Sequence, residues 1–176
     1  MKQFCSMFVR QAKGKVLIVG SAIKPGREDR RKQHKDAVGV DLEPGEGVDI
    51  VHDMVEPLPA ELQGAFGHAE CTSVIEHCKK PWKLAENLES ALRIGGTILV
   101  SAPFVWREHA YPADYYRFTA AGIKELFPRI EWHELIYIGA ATSRRANAAL
   151  AGFRRGGTGH PFLGRCEIYG FGTRIS

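Results

Sequence analysis

A chain of 176 residues, 44% hydrophobic and 25% charged, has the size and composition of a soluble globular protein, and residues 1–176 are expected to form a single domain. No apolar run approaches the roughly 20 residues of a membrane span, and the apolar patch in MKQFCSMFVRQAKGK is too brief for a signal peptide. The formal charge of +4 admits an anionic partner without arguing for one.

Hydrophobic periodicity sets out the elements in order. Lys15 to Gly20, KVLIVG, is a continuous apolar run stopped by glycine and reads as the first strand. The charged REDRRKQHK that follows has the composition of a solvated helix or surface segment. AVGVDL and VDIVHDM are the second and third strands. Only EPGEG separates them, too little for a crossover helix, which takes roughly ten residues. A short helical piece around Leu62 precedes a fourth strand at Ala69 to Val74. Pro81 then opens a helix, where its missing N–H is no loss. Trp82, Leu84, Ala85, Leu88 and Leu92 recur at helical spacing and are expected to face the sheet. Gly95 and Gly96 are expected to end that helix, with TILVSA as strand five.

A long loop, PFVWREHAYPADYYRF, is aromatic and polar at once. Thr119 caps a helix, AAGIKELF, that stops at Pro128. IEWHELIYIG reads as strand six, SRRANAALAGF as a helix, RRGGTGHPFLG as a loop and CEIYGFGTR as the last strand. One of the last two strands is expected to be antiparallel. This alternation argues an α/β fold, a Rossmann-like doubly wound and mostly parallel sheet.

Cys5, Cys71, Cys78 and Cys166 are scattered without metal-ligand spacing, so reduced thiols in a cytoplasmic setting and no structural zinc are expected. Asp41 and Asp53 each close an apolar run. In an open α/β sheet ligands sit beyond the carboxyl ends of the strands. A carboxylate there can accept both hydroxyl protons of a ribose, and a second one strand on can take an exocyclic amine. Each acid alone is more simply a turn residue, but the pair on successive strands points to a nucleoside. The GxGxxG fingerprint of a dinucleotide oxidoreductase is absent after strand one. Glu28 and Asp29 interrupt the basic segment, so nucleic acid is not expected as a partner.

The ordered set KVLIVGSA, VGVDL, VDIVHDMVEPLP, SVIEHCKKPWKL and LRIGGTILVSAP resembles the class I S-adenosylmethionine-dependent methyltransferases. The match is closest to the group acting on small molecules and glycans, and HAYPADYYRFT resembles a segment found in one branch of it. The resemblance covers about residues 15 to 127 and implies a seven-stranded sheet with an antiparallel last strand. It implies S-adenosyl-L-methionine as cofactor, with Gly20, Ser21 and Ala22 under its methionine part. Asp41 would hold the ribose, Leu42 would pack on the adenine, and Asp53 with the Met54 backbone would read its edge. Cys71, Thr72 and Ser73 would line the pocket beside the sulfonium. The family's acid two residues before the first loop glycine is Ile18 here, its second loop glycine is Ala22, and Gly67–His68 replace an acid opening strand four. These departures support an alternative, a binding or scaffolding protein that has kept the fold without the catalysis.

For a methyl acceptor, small-molecule or glycan-type, the loops after strands four and five supply the chemistry. His109 is the first candidate for a base, because histidine titrates near neutrality. Asp114 is the second, or it locks Arg117 in a local ion pair. His77, beside Glu76, is the third, although a structural tie between loop and helix is the simpler role for that pair. Trp106, Tyr111, Tyr115, Tyr116 and Arg117 are the candidate acceptor-binding side chains. The sequence leaves the acceptor and the oligomeric state open.

Overall fold

The computed structural model describes residues 13–26, 28–109, 113–139 and 166–176. Their seven strands form one sheet: β1 (Val16–Val19), β2 (Ala37–Asp41), β3 (Ile50–Val51), β4 (Phe66–Thr72), β5 (Leu92–Val105), β6 (Ile130–Gly139) and β7 (Cys166–Arg174). Their spatial order is β3-β2-β1-β4-β5-β7-β6. β7 runs antiparallel to both neighbours and the other six strands share one direction. The expected doubly wound sheet with an antiparallel last strand is therefore present. The helix expected at SRRANAALAGF and the loop RRGGTGHPFLG lie outside the described residues.

β1 and β4 are central parallel strands covered on both faces, and so their residues are buried throughout, apart from the last of β4. The main apolar cluster gathers Leu17, Val19, Val40, Ala69, Cys71, Ile98 and Val100 from alternate strand positions. Two helices, α1 (Pro81–Ala91) and α2 (Ala120–Leu126), contribute Leu84, Ala85, Leu88 and Ile123 to the same cluster. Thr119 caps α2 as expected, its hydroxyl accepting from Gly122 N–H at 3.0 Å. Glu89, buried in α1, ties that helix to the turn after α2: it accepts from Arg129 N–H at 2.7 Å and from Arg129 Nε at 2.9 Å.

Four expectations need correction. Trp82 does not face the sheet; it is 48% exposed, because the buried stripe runs Pro81, Leu84, Ala85, Leu88 and Ala91 and Trp82 lies about 100° round the helix from its start. Gly95 and Gly96 do not end the helix, which stops at Ala91 and passes directly into β5. Phe66 pairs with Leu92 and His68 with Thr97, so Gly67 faces residues 93–96 across a bulge. Gly95 takes φ +76° there, the conformation that glycine permits at bulges. β4 begins at Phe66 and ends at Thr72 rather than running from Ala69 to Val74. The charged segment after β1 holds a short 3₁₀ turn, Arg30–Gln33, and two of its side chains point inward.

The short β2–β3 connection works because Asp49 folds it back. Its carboxylate accepts from Gly39 N–H at 2.7 Å, and its own N–H donates to Gly39 O at 2.9 Å. A Cβ at Gly39 would strike the Gly47 carbonyl and the Ser21 hydroxyl, so this close packing requires glycine.

Candidate functional site

The candidate cofactor residues lie along the carboxyl ends of β1, β2, β3 and β4. Gly20 turns the chain out of β1 with φ +71°, and a Cβ on it would sit 2.5 Å from Val74 Cγ2. The turn after β1 therefore rests on the loop after β4. Asp41 ends β2 and clamps that turn: Oδ2 accepts from Ala22 N–H at 2.9 Å and Oδ1 from Leu42 N–H at 2.8 Å. Each oxygen retains acceptor capacity beyond the one bond. Leu42 beside it is 53% exposed. Ser21 Oγ is buried with no hydrogen-bond partner among the described residues, a polar atom that a ligand or water would satisfy.

After β3, Asp53 is exposed and engages one oxygen, accepting from Val55 N–H at 3.0 Å. Met54 is buried, and its carbonyl accepts from Asn87 Nδ2 at 2.8 Å. At the end of β4 the Cys71 thiol turns into the apolar core, where burial pushes its pKa up, so only the backbone of Cys71 faces the strand end. Thr72 binds Arg30 through its hydroxyl. Ser73 has φ +54°, alone among the described non-glycine residues in being positive. Left-handed backbone costs a residue with a Cβ roughly 1–2 kcal/mol, and such strain concentrates at ligand sites.

The acceptor-side candidates meet over the same edge. Glu76 O accepts from Tyr115 N–H at 2.8 Å and Tyr116 N–H at 3.3 Å, which ties the loop after β5 to the turn after β4. His77 Nδ1 faces the Ala113 carbonyl, and its ring meets that of His109 edge to face, centroids 5.0 Å apart. His109 Nδ1 lies 3.0 Å from Asp114 Oδ2, which also accepts from His109 N–H at 2.9 Å. Arg117 forks onto both Asp114 oxygens and donates to the Trp106 and Arg107 carbonyls. The hydrogen bonds from Arg117, then the His109 N–H, hold the Asp114 carboxyl well below the usual carboxylate range against the opposing effect of burial.

His77, His109, Asp114 and Arg117 are thus together. Tyr115 is exposed, and Tyr116 anchors through its hydroxyl to Lys79 O at 3.1 Å. Arg107 sits over the Trp106 ring, and Tyr111 is outside the described residues. Burial drives the Cys78 thiol up to about 12, with the Asp53 and Glu76 carboxylates adding to it.

A third group was not anticipated. Glu70, in mid-β4 and 2% exposed, binds Arg30 through one oxygen and His34 Nε2 at 2.8 Å through the other. His68 Nε2 stands 3.7 Å away, too far for a hydrogen bond, and acts as a weaker electrostatic partner. Burial pushes the Glu70 carboxyl up, but His34, His68 and the Arg30 guanidinium outweigh it and hold it low. The signal was an acid inside an otherwise enclosed strand, which demands a partner. With Arg30 reaching both Glu70 and Thr72, this cluster pins the segment after β1 behind the strand end.

Strand order fixes the comparison with known proteins. A SAM-dependent methyltransferase from Archaeoglobus fulgidus superposes with a TM-score of 0.62 at 10% identity, covering 99% of this chain and 95% of that one. The fold is that of the class I methyltransferases. Within this methyltransferase fold, the Burkholderia thailandensis 1,6-didemethyltoxoflavin N1-methyltransferase, with its substrate and S-adenosylhomocysteine bound, gives 0.63 at 14% identity, covering 99% and 78%. The cyclase SpnF gives 0.60 at 14%, covering 98% and 82%. No family model and no curated protein matches the chain by sequence.

Proposed function

We propose that this protein transfers a methyl group from S-adenosyl-L-methionine to a small-molecule or glycan-type acceptor. The observation that carries the reading is Asp41: its carboxylate ends β2 and grips the turn after β1, where this sheet order puts its ligand crevice. In this reading Gly20, Ser21 and Ala22 receive the methionine part, Asp41 the ribose hydroxyls, and Leu42 the adenine face. Asp53 and the Met54 backbone meet the adenine edge, and the chain at Cys71, Thr72 and Ser73 lies beside the sulfonium. The residues suit the cofactor. Asp41 has acceptor capacity left, Leu42 offers exposed apolar surface, and Ser21 Oγ lacks a partner.

The bound cofactor supplies an activated methyl on sulfur; the chain supplies position. Alignment of reactants is worth on the order of 7–11 kcal/mol. The Trp106–Arg117 loop, tied down by Asp114–Arg117 and by Glu76 O, would hold the acceptor there, with Trp106, Tyr111, Tyr115, Tyr116 and Arg117 as its contacts. His109, its Nδ1 set by Asp114, would take the acceptor's proton where one must leave, with Asp114 and His77 in support.

A second reading, a binding protein without catalysis, draws on the segment after β1. It carries a 3₁₀ turn with no buried residue where a doubly wound fold ordinarily packs a helix. Calorimetry with S-adenosylmethionine and S-adenosylhomocysteine tests the cofactor site, and release of S-adenosylhomocysteine on mixing with acceptor pools separates the two. Micromolar binding by the wild type, lost in Asp41→Ala, is the expected result. A folded wild type that binds neither compound would sink the methyltransferase reading and leave the second.

A further inference from the structure

Glu76, His77 and His109 each offer one ligand atom, and the three atoms lie within 4.8 Å of one another. Both histidines are set up as ligands by what they bind through the other nitrogen. His77 Nδ1 faces the Ala113 carbonyl, and His109 Nδ1 faces the Asp114 carboxylate and, at 3.3 Å, the Arg107 carbonyl. Oxygens that only accept require each Nδ1 to carry the proton. In the neutral ring each Nε2 is then left with its lone pair, the arrangement by which carboxylates and carbonyls orient metal-binding histidines. The third group is a nearly fully buried carboxylate, with its backbone fixed by Tyr115 and Tyr116.

We infer that Glu76, His77 and His109 form a site for a divalent transition-metal ion, with zinc the best match to two imidazoles and one carboxylate. Three such ligands leave a coordination position open, as in catalytic rather than structural zinc sites. Tetrahedral ligands at about 2.1 Å from the metal stand about 3.4 Å apart, so closure requires an inward movement of about 1 Å. His109, on the loop after β5 and 32% exposed, has room to make it. Charge favours the ion: Glu76 and Asp114 against Arg117 leave the pocket net negative with both imidazoles neutral. The open position would take an oxygen donor, water or an acceptor hydroxyl. Only that last assignment, the acceptor, rests on the methyltransferase reading; the metal site itself does not. Ligation would occupy the His109 Nε2 lone pair that a base role requires, so that in the metal-bound protein the ion, not His109, would ease loss of the acceptor's proton.

The test titrates metal-free protein with cobalt(II), following its visible ligand-field bands, and then with zinc in competition with a chromophoric chelator. Expected is one equivalent bound with the band intensity of four-coordinate cobalt, and affinity at least about tenfold weaker in His109→Ala. Glu76→Gln should weaken binding likewise, and exposed His133→Ala should leave it unchanged. Wild type that binds no metal at micromolar concentration, or His109→Ala that binds as well as wild type, overturns the site. S-adenosylmethionine binding is read separately on the same samples. A result with metal bound but no cofactor therefore fails the proposed function while upholding the metal.

Discussion

The charge cluster under β4 carries the sharpest prediction. Glu70→Gln keeps the shape of the side chain and removes the charge that Arg30 and His34 face. Breaking a buried ion pair costs about 3–5 kcal/mol when the orphaned partner stays buried. The Arg30 side chain is 29% exposed and recovers part of its hydration, which lowers the expectation to about 2–3 kcal/mol. With a urea m-value of about 2.5 kcal/mol/M for a chain of this size, the unfolding midpoint should fall by about 1 M. Arg30→Leu should then cost about 1 kcal/mol less in the Glu70→Gln background than alone. The pH dependence has a definite sign. The folded Glu70 pKa is below its unfolded value near 4.5, so its contribution is complete above that pH and is lost as pH falls from there. Glu70→Gln should flatten the acid limb. A midpoint within about 0.2 M of wild type, with an unchanged acid limb, would refute the idea that charge rather than apolar burial anchors this crossover.

Two further substitutions test the crevice. Gly20→Ala should destabilise by about 1–3 kcal/mol, from positive φ and the contact with Val74, and Val74→Ala should restore part of it in thermal unfolding. Asp114→Ala should release Arg117 and His109 and raise hydrogen exchange and proteolysis across residues 104–109, while amides of β1 and β4 remain protected; equal protection in the loop would mean that the ion pair does not hold it.

Much of the sheet could be read from sequence because β1 and β7 lie in enclosed positions and their apolar runs say so. Apart from Trp82, whose exposure is a matter of helix phase, the misreadings come from partners distant in the chain. REDRRKQHK looks solvated because charge usually means water, yet His34 meets Glu70 36 positions later. Gly95 looks like a helix stop because positive φ serves both caps and bulges, and only the register of β4 on β5 distinguishes them. The meeting of His77 and His109 was half legible: loops after parallel strands share an edge, but the orientation of each ring depends on Ala113 and Asp114.

The two borders of the sheet are unequal. β3 is two residues long, whereas β6 spans ten and, among the described residues, pairs on one side only. An open strand of that length is a template for another chain's backbone, and inserted charges are the usual defence. Glu131 and Glu134 stand exposed on β6. Neutralising them, by acid or by substitution, would leave the β6 border the place where this protein self-associates when concentrated.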